Sequence, residues 1–166
     1  MAGWRGDSSH TAISIAAGKA ITLYVPGDLY IDSNITYAAY TLATVPRLNV
    51  YVSGNVYIDP AVTELHGVYI AQASDVAEGD ITTCGTPTAT TEPYATCNKK
   101  LTVVGSMAAE GHLNLARTYG NLSAVAATSV PAEPAEVFQY NPEMWLNAPA
   151  FTGLDVKSYT SLPPVL

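Results

Sequence analysis

Charge is scarce in this sequence. Asp, Glu, Lys and Arg make up only 13% of its 166 residues, and 7 bases stand against 14 acids, for a net charge of −7. A chain so poor in cations offers little to phosphates, so nucleic acid and anionic membrane surfaces are unsuited as partners. No apolar run approaches the ~20 residues of a membrane-spanning helix. The first residues, Met1 to Asp7, lack a signal-peptide pattern, which leaves a cytosolic protein or a trimmed ectodomain. Nucleophile-elbow, phosphate-loop, dinucleotide and H-E-x-x-H motifs are missing too. The three histidines, His10, His66 and His112, are widely separated, and no metal or cofactor is expected. His66 shares parity with Val68 and Ile70, which predicts that it points inward as a hydrogen-bonded core residue.

What fills the sequence instead is apolar and neutral polar. Hydrophobic residues reach 48%, and 11 tyrosines stand against 2 phenylalanines. Tyrosine can cover apolar surface while its hydroxyl stays wet. Abundant Tyr and Thr with few Lys and Glu favour strands over helices.

One stretch occurs twice. Val25-Pro26-Gly27-Asp28-Leu29-Tyr30-Ile31-Asp32 returns as Val52-Ser53-Gly54-Asn55-Val56-Tyr57-Ile58-Asp59, and a weaker third copy begins at Val103-Val104-Gly105. Fixed-period similarity marks stacked repeat architectures. Within each copy the apolar residues alternate. Ile21, Leu23 and Val25 point one way, as do Leu48, Val50 and Val52, then Leu29 and Ile31, then Val56 and Ile58. Short strands that restart in one direction predict parallel stacking of coils, each burying its inner face on the next. The predicted fold is all-β: a short right-handed parallel β-solenoid, with a β-sandwich as the alternative. Leu29 should then lie over Val56, and Ile31 over Ile58.

A single domain over 1–166 is expected. Residues 1–20 form a lead or cap, and 21–115 form the solenoid core, ending at Leu113 and Leu115. Residues 72–100 interrupt the core with a Thr/Pro-rich insertion closed by Cys84 and Cys97. The segment 116–166 is rich in proline and carries Val137, Phe138, Met144, Trp145, Leu146 and Phe151. It is expected to wrap across a face without joining a ladder, with Trp145 buried there.

Cys84 and Cys97 are read as a disulfide, because their spacing suits neither a metal pair nor a redox pair, and a disulfide favours an extracellular location. Stacked coils would place Tyr24 over Tyr51 and Tyr30 over Tyr57, giving a candidate binding face for a protein or glycan. The blander alternative is that the C-terminal wrap covers that face. Asp32 would stack on Asp59, about 4.8 Å apart at the backbone. Such a pair could hold a cation, or serve with Glu110 as acids of a polysaccharide lyase or glycoside hydrolase, although aspartates are common in turns simply because they cap their own backbone. Arg5-Gly6-Asp7 matches an adhesion tripeptide. Asn34-Ile35-Thr36 and Asn121-Leu122-Ser123 fit the glycosylation sequon.

The succession GDLYID, GNVYID, ELHGVYIAQ, a Cys–Cys insertion, KKLTVVGSMAAEGHLNLARTYG and PAEVFQYNPEMWL resembles a domain of large cell-envelope proteins of small-genome bacteria, over about residues 19–150. The short coils are also similar to bactofilin-type solenoids, which lack the cysteine insertion. The resemblance implies a β-solenoid and an extracellular or cell-surface location, and it carries over no catalytic residue. The expected function is a structural or adhesive surface module that binds a protein, a glycan or another copy of itself. A polysaccharide-active enzyme is the alternative.

Overall fold

Strict alternation builds the strands. Arg47–Val52 reads Arg-Leu-Asn-Val-Tyr-Val, and Leu48, Val50 and Val52 are buried while the residues between them are half-buried. The same pattern runs through Glu64–Ala71, where Leu65, Tyr69 and Ala71 are buried. The computed structural model describes residues 12–72, 78–88, 95–119 and 133–141. Over these the chain is all-β and contains no α-helix. Eleven strands are described: β1 Ile13–Ile15, β2 Ala20–Val25, β3 Leu29–Ile31, β4 Ile35–Tyr37, β5 Arg47–Val52, β6 Val56–Ile58, β7 Glu64–Ala71, β8 Ile81–Thr82, β9 Leu101–Ala109, β10 Leu113–Asn114 and β11 Glu136–Gln139.

All strand pairs run parallel, in two sheets. The chain passes back and forth between them. β3, β6, β8 and β10 form the smaller sheet, and the other seven strands form the larger. The doubled stretch lies in register: Leu29 pairs with Val56 and Ile31 with Ile58, as expected, and Ile21 pairs with Leu48. The inner faces form one apolar cluster that includes Leu29, Ile31, Val50, Val56, Ile58, Leu65, Tyr69, Ile81 and Leu101. Each fully buried aliphatic side chain there contributes roughly 1.5–3 kcal/mol.

One corner is stitched by side chains as well as backbone. Asp28 Oδ1 accepts the Asn55 N–H at 2.8 Å, Asn55 Oδ1 accepts the Asp80 N–H at 2.9 Å, and Asp80 Oδ1 accepts the His112 N–H at 2.6 Å. The steps along this ladder are 27, 25 and 32 residues. Register is therefore kept by the corner acceptor and not by a fixed chain length.

The structure corrects several sequence expectations. Gly105 is not a turn residue like Gly27 and Gly54. It lies within β9, in register with Gly67, and the true continuation of the Val25–Val52 column is Ala71 and then Ala109. Gly67 and Gly105 both have positive φ, 126° and 142°, where side chains are strained. β7 runs uninterrupted across a span that the preceding layer divides between β4 and β5.

The inward set of β7 is Leu65, Tyr69 and Ala71, so His66, Val68 and Ile70 take the opposite parity to the one expected. Register explains this: Tyr69 falls on Val50, and Val68 on the outward Asn49. Residues 72–100 do not wholly interrupt the sheet, because Ile81–Thr82 pairs with β6 and β10. Ile21, Leu23, Leu113 and Leu115 are 40–53% exposed; they occupy the outer layers, where fewer neighbours stack on them.

The C-terminal segment differs most from expectation. Glu136–Gln139 joins the larger sheet as a parallel strand beside β9. Pro131, Pro134 and Pro142 flank this stretch without entering it, so every residue in it keeps its N–H. Met144, Trp145, Leu146, Phe151, the Arg5-Gly6-Asp7 tripeptide, His10 and the Asn121 sequon lie outside the described residues.

Candidate functional site

The four tyrosines of the expected face separate into two unlike pairs. Tyr24 and Tyr51 occupy one register position on β2 and β5. Their rings stack with centroids 5.2 Å apart and planes 15° from parallel, and Tyr24 is 74% exposed. The pair borders a shallow cleft of about 270 Å³ that Pro26, Ser53 and Gln72 help to line. Tyr30 and Tyr57 also share a register position, on the smaller sheet, but Tyr57 is buried. The Tyr30 hydroxyl donates to the Asp59 carboxylate. Of these four tyrosines Tyr24 is exposed, Tyr30 and Tyr51 are half-buried and Tyr57 is buried.

The candidate acids are held in turns. Asp59 Oδ1 accepts the Ala61 N–H at 2.7 Å, and its other oxygen takes the Tyr30 hydroxyl. Asp32 accepts the Ser33 hydroxyl at 3.0 Å. Both aspartates follow strands of the smaller sheet, whereas Glu110 lies between β9 and β10, at the opposite end of that sheet's strands. The structure thus does not bring Glu110 together with Asp32 and Asp59. Among the described residues, no three His, Cys, Asp or Glu side chains converge as a metal site.

The two described histidines serve locally. His66 Nδ1 accepts the Tyr37 N–H at 3.1 Å, which leaves Nε2 to donate to Glu64 Oε1 at 2.7 Å. His66 is thus hydrogen-bonded as expected, although on the outward side of its strand. His112 Nδ1 lies 3.2 Å from Asp80, on the corner ladder.

Cys84 and Cys97 are bonded, with Sγ atoms 2.07 Å apart and Cα atoms 5.8 Å apart, and both are buried. Residue 97 also ties down the following chain, because its carbonyl accepts the Thr118 N–H at 2.9 Å.

A site that sequence reasoning missed lies beside this bond. Arg117 is 5% exposed. Its Nε donates to the Thr83 carbonyl at 2.5 Å, Nη1 to the Pro60 carbonyl at 2.8 Å, and Nη2 to the Asp59 carbonyl at 2.7 Å. Burial pulls its pKa down to about 10, against the opposing pull of Glu136 and Asp59. Glu136 accepts the Arg117 N–H at 3.0 Å and the Thr83 hydroxyl. This arrangement clamps three carbonyls and couples β11 to the turn after β8. Each of the three guanidinium nitrogens has a partner within the protein itself. The one sequence signal was an arginine in a chain with few bases, next to Thr118 and Tyr119.

At the β1–β3 end of the core is an apolar hollow of about 510 Å³, lined by Ile13, Ile21, Leu23, Leu29, Val50 and Tyr69 among others. Among the described residues no helix is long and apolar enough to cross a membrane. The chain matches no family model, no curated protein and no solved structure.

Proposed function

We propose that the chain is a short right-handed parallel β-solenoid that works as a non-catalytic module outside the cell or at its surface, structural or adhesive in role. On this reading it is a domain of the cell-envelope kind that its sequence resembles. Parallel strands in register, passing between two sheets, support the solenoid. The buried disulfide is compatible with an oxidising compartment.

The observation that carries the adhesive role is the exposed Tyr24–Tyr51 stack, on a frame whose candidate acids are occupied in turns. An aromatic residue held 74% exposed on a regular sheet is suited to contact a partner and adds little to the core. The test is adhesion. Beads coated with the protein should be retained on surfaces bearing purified envelope polysaccharide or surface protein, and Tyr24→Ala should reduce retention. Equal retention of both proteins, or none of either, rejects the adhesive role. Turnover of a polysaccharide, abolished by Asp32→Asn or Asp59→Asn, would establish the enzyme instead.

A further inference from the structure

We propose that the Tyr24–Tyr51 ledge is a subsite for a neutral, pyranose-based glycan; this rests on the adhesive reading of the same face and names its ligand class. Tyr51 covers one face of the Tyr24 ring, and the 74% exposure of Tyr24 leaves the remainder to solvent. The face of an aromatic ring is electron-rich. Its complement is a flat patch of weakly positive C–H groups, which is what one side of a pyranose ring presents. Stacking on Tyr51 also limits the rotamers open to Tyr24, so less entropy is lost when a ligand docks.

The polar neighbours narrow the class further. Ser53 and Gln72 line the same cleft. The Ser53 hydroxyl oxygen accepts the Gly27 N–H at 2.9 Å, which fixes the oxygen and leaves its proton to donate. The Gln72 N–H donates to the Val52 carbonyl at 2.8 Å, which anchors the residue beneath its amide, and that amide supplies both donors and an acceptor. Among the described residues that line the cleft, none is charged. A uronate or phosphate would find no cation there and would meet a protein of net charge −7. An apolar peptide side chain would cover the ring but leave Ser53 and Gln72 unanswered. An aromatic face bordered by a hydroxyl and an amide suits an uncharged polyol.

The experiment titrates the full chain with cellohexaose, chitohexaose and mannohexaose, with hexagalacturonate as the anionic control, by calorimetry and ligand-observed NMR. At least one neutral oligosaccharide should bind, with little dependence on salt. Tyr24→Ala should weaken that binding about tenfold, the equivalent of one aromatic contact, and Tyr24→Phe should preserve it. Gln72→Ala should weaken it several-fold. Because Tyr24 is so exposed, its replacement should lower the urea midpoint only slightly, through the lost contact with Tyr51, and leave the chain folded, which separates loss of binding from loss of fold. Failure of all three neutral sugars, tighter binding of the uronate, or indifference to Tyr24→Ala overturns the assignment. If coated beads still adhere through Tyr24 to surface protein while no sugar binds, the glycan assignment alone fails. If neither binds, the adhesive reading falls with it.

Discussion

Gly105 lies in register with Gly67, so closely that a Cβ on Gly105 would sit 1.9 Å from the Gly67 carbonyl oxygen. A Cβ on Gly67 would in turn lie 2.9 Å from the Leu48 carbonyl. Three layers thus pack backbone on backbone at one point, and both glycines hold positive φ. We predict that Gly105→Ala destabilises by more than about 3 kcal/mol, since a steric clash with backbone adds to the strain of the left-handed region. Gly27→Ala should cost only about 1–2 kcal/mol, because at φ 83° nothing lies within 4 Å of its Cβ position. Urea midpoints of the two variants should differ accordingly. Equal losses would show that the close stack is relaxed in solution.

The corner ladder needs an acceptor, and a charge is incidental to it. Asp28, Asn55 and Asp80 play one role at successive layers, and Asn55 does so uncharged. Asp28→Asn should therefore be nearly neutral, whereas Asp28→Ala strands the Asn55 N–H and should cost about 1–2 kcal/mol. Thermal melts at pH 7 would check the pair. A large loss in Asp28→Asn would mean that the carboxylate charge matters after all.

Arg117 serves three carbonyls with one rigid fork. Replacing it with Met keeps the stem but leaves those acceptors without their donors, and should cost at least about 3 kcal/mol. Arg117→Lys should recover only part, since a single ammonium cannot reproduce the planar spread of donors. The contact between Glu136 and the Arg117 N–H survives in both variants. Denaturant titrations of the three proteins would rank them, and a Lys variant as stable as the parent would contradict this account.

Burial pushes the Tyr69 phenol well above its ordinary value of 10.0. Below pH 10 it is neutral in both folded and unfolded chains and contributes no pH dependence. Above pH 10 the unfolded chain ionises first, so the folded state holds more protons and stability falls as pH rises. The slope from this one group approaches about 1.4 kcal/mol per pH unit. Tyr69→Phe should lose about 1 kcal/mol at neutral pH, because the hydroxyl donates to the His66 carbonyl at 3.1 Å, yet should show a shallower decline between pH 10 and 11. Parallel declines would place the alkaline transition elsewhere.

The core of the doubled stretch was legible because two physical constraints coincide there. Leu29 and Val56, or Ile31 and Ile58, must each face inward, and equal loops deliver them to the same place. Elsewhere the loops differ, so a fixed period misleads. Val103-Val104-Gly105 resembles the earlier Val-x-Gly turns, yet its glycine answers to Gly67 in mid-strand. Ile81–Thr82 is too short to show alternation and is recognisable only through its partners Val56 and Leu113. At the candidate site, the stacking of Tyr24 on Tyr51 follows from register. The difference in exposure between Tyr24 and Tyr57 does not, because it depends on which sheet each tyrosine joins. The Arg117 clamp joins residues 34 to 58 positions apart and leaves no periodic trace.

The Cys84–Cys97 bond takes on a mechanical meaning if the chain is pulled from its ends. It short-circuits a sequence separation of 13 residues between β8 and β9. Tension applied to the oxidised chain passes through the sulfurs, and the bridged segment is withheld from extension. At 3.3–3.6 Å per residue, that hidden length is about 40 Å once the span of the bridge is subtracted. Optical-tweezers traces of oxidised and reduced protein should therefore differ by about 40 Å in fully extended length. Identical lengths would mean that the bond does not lie in the path of the force.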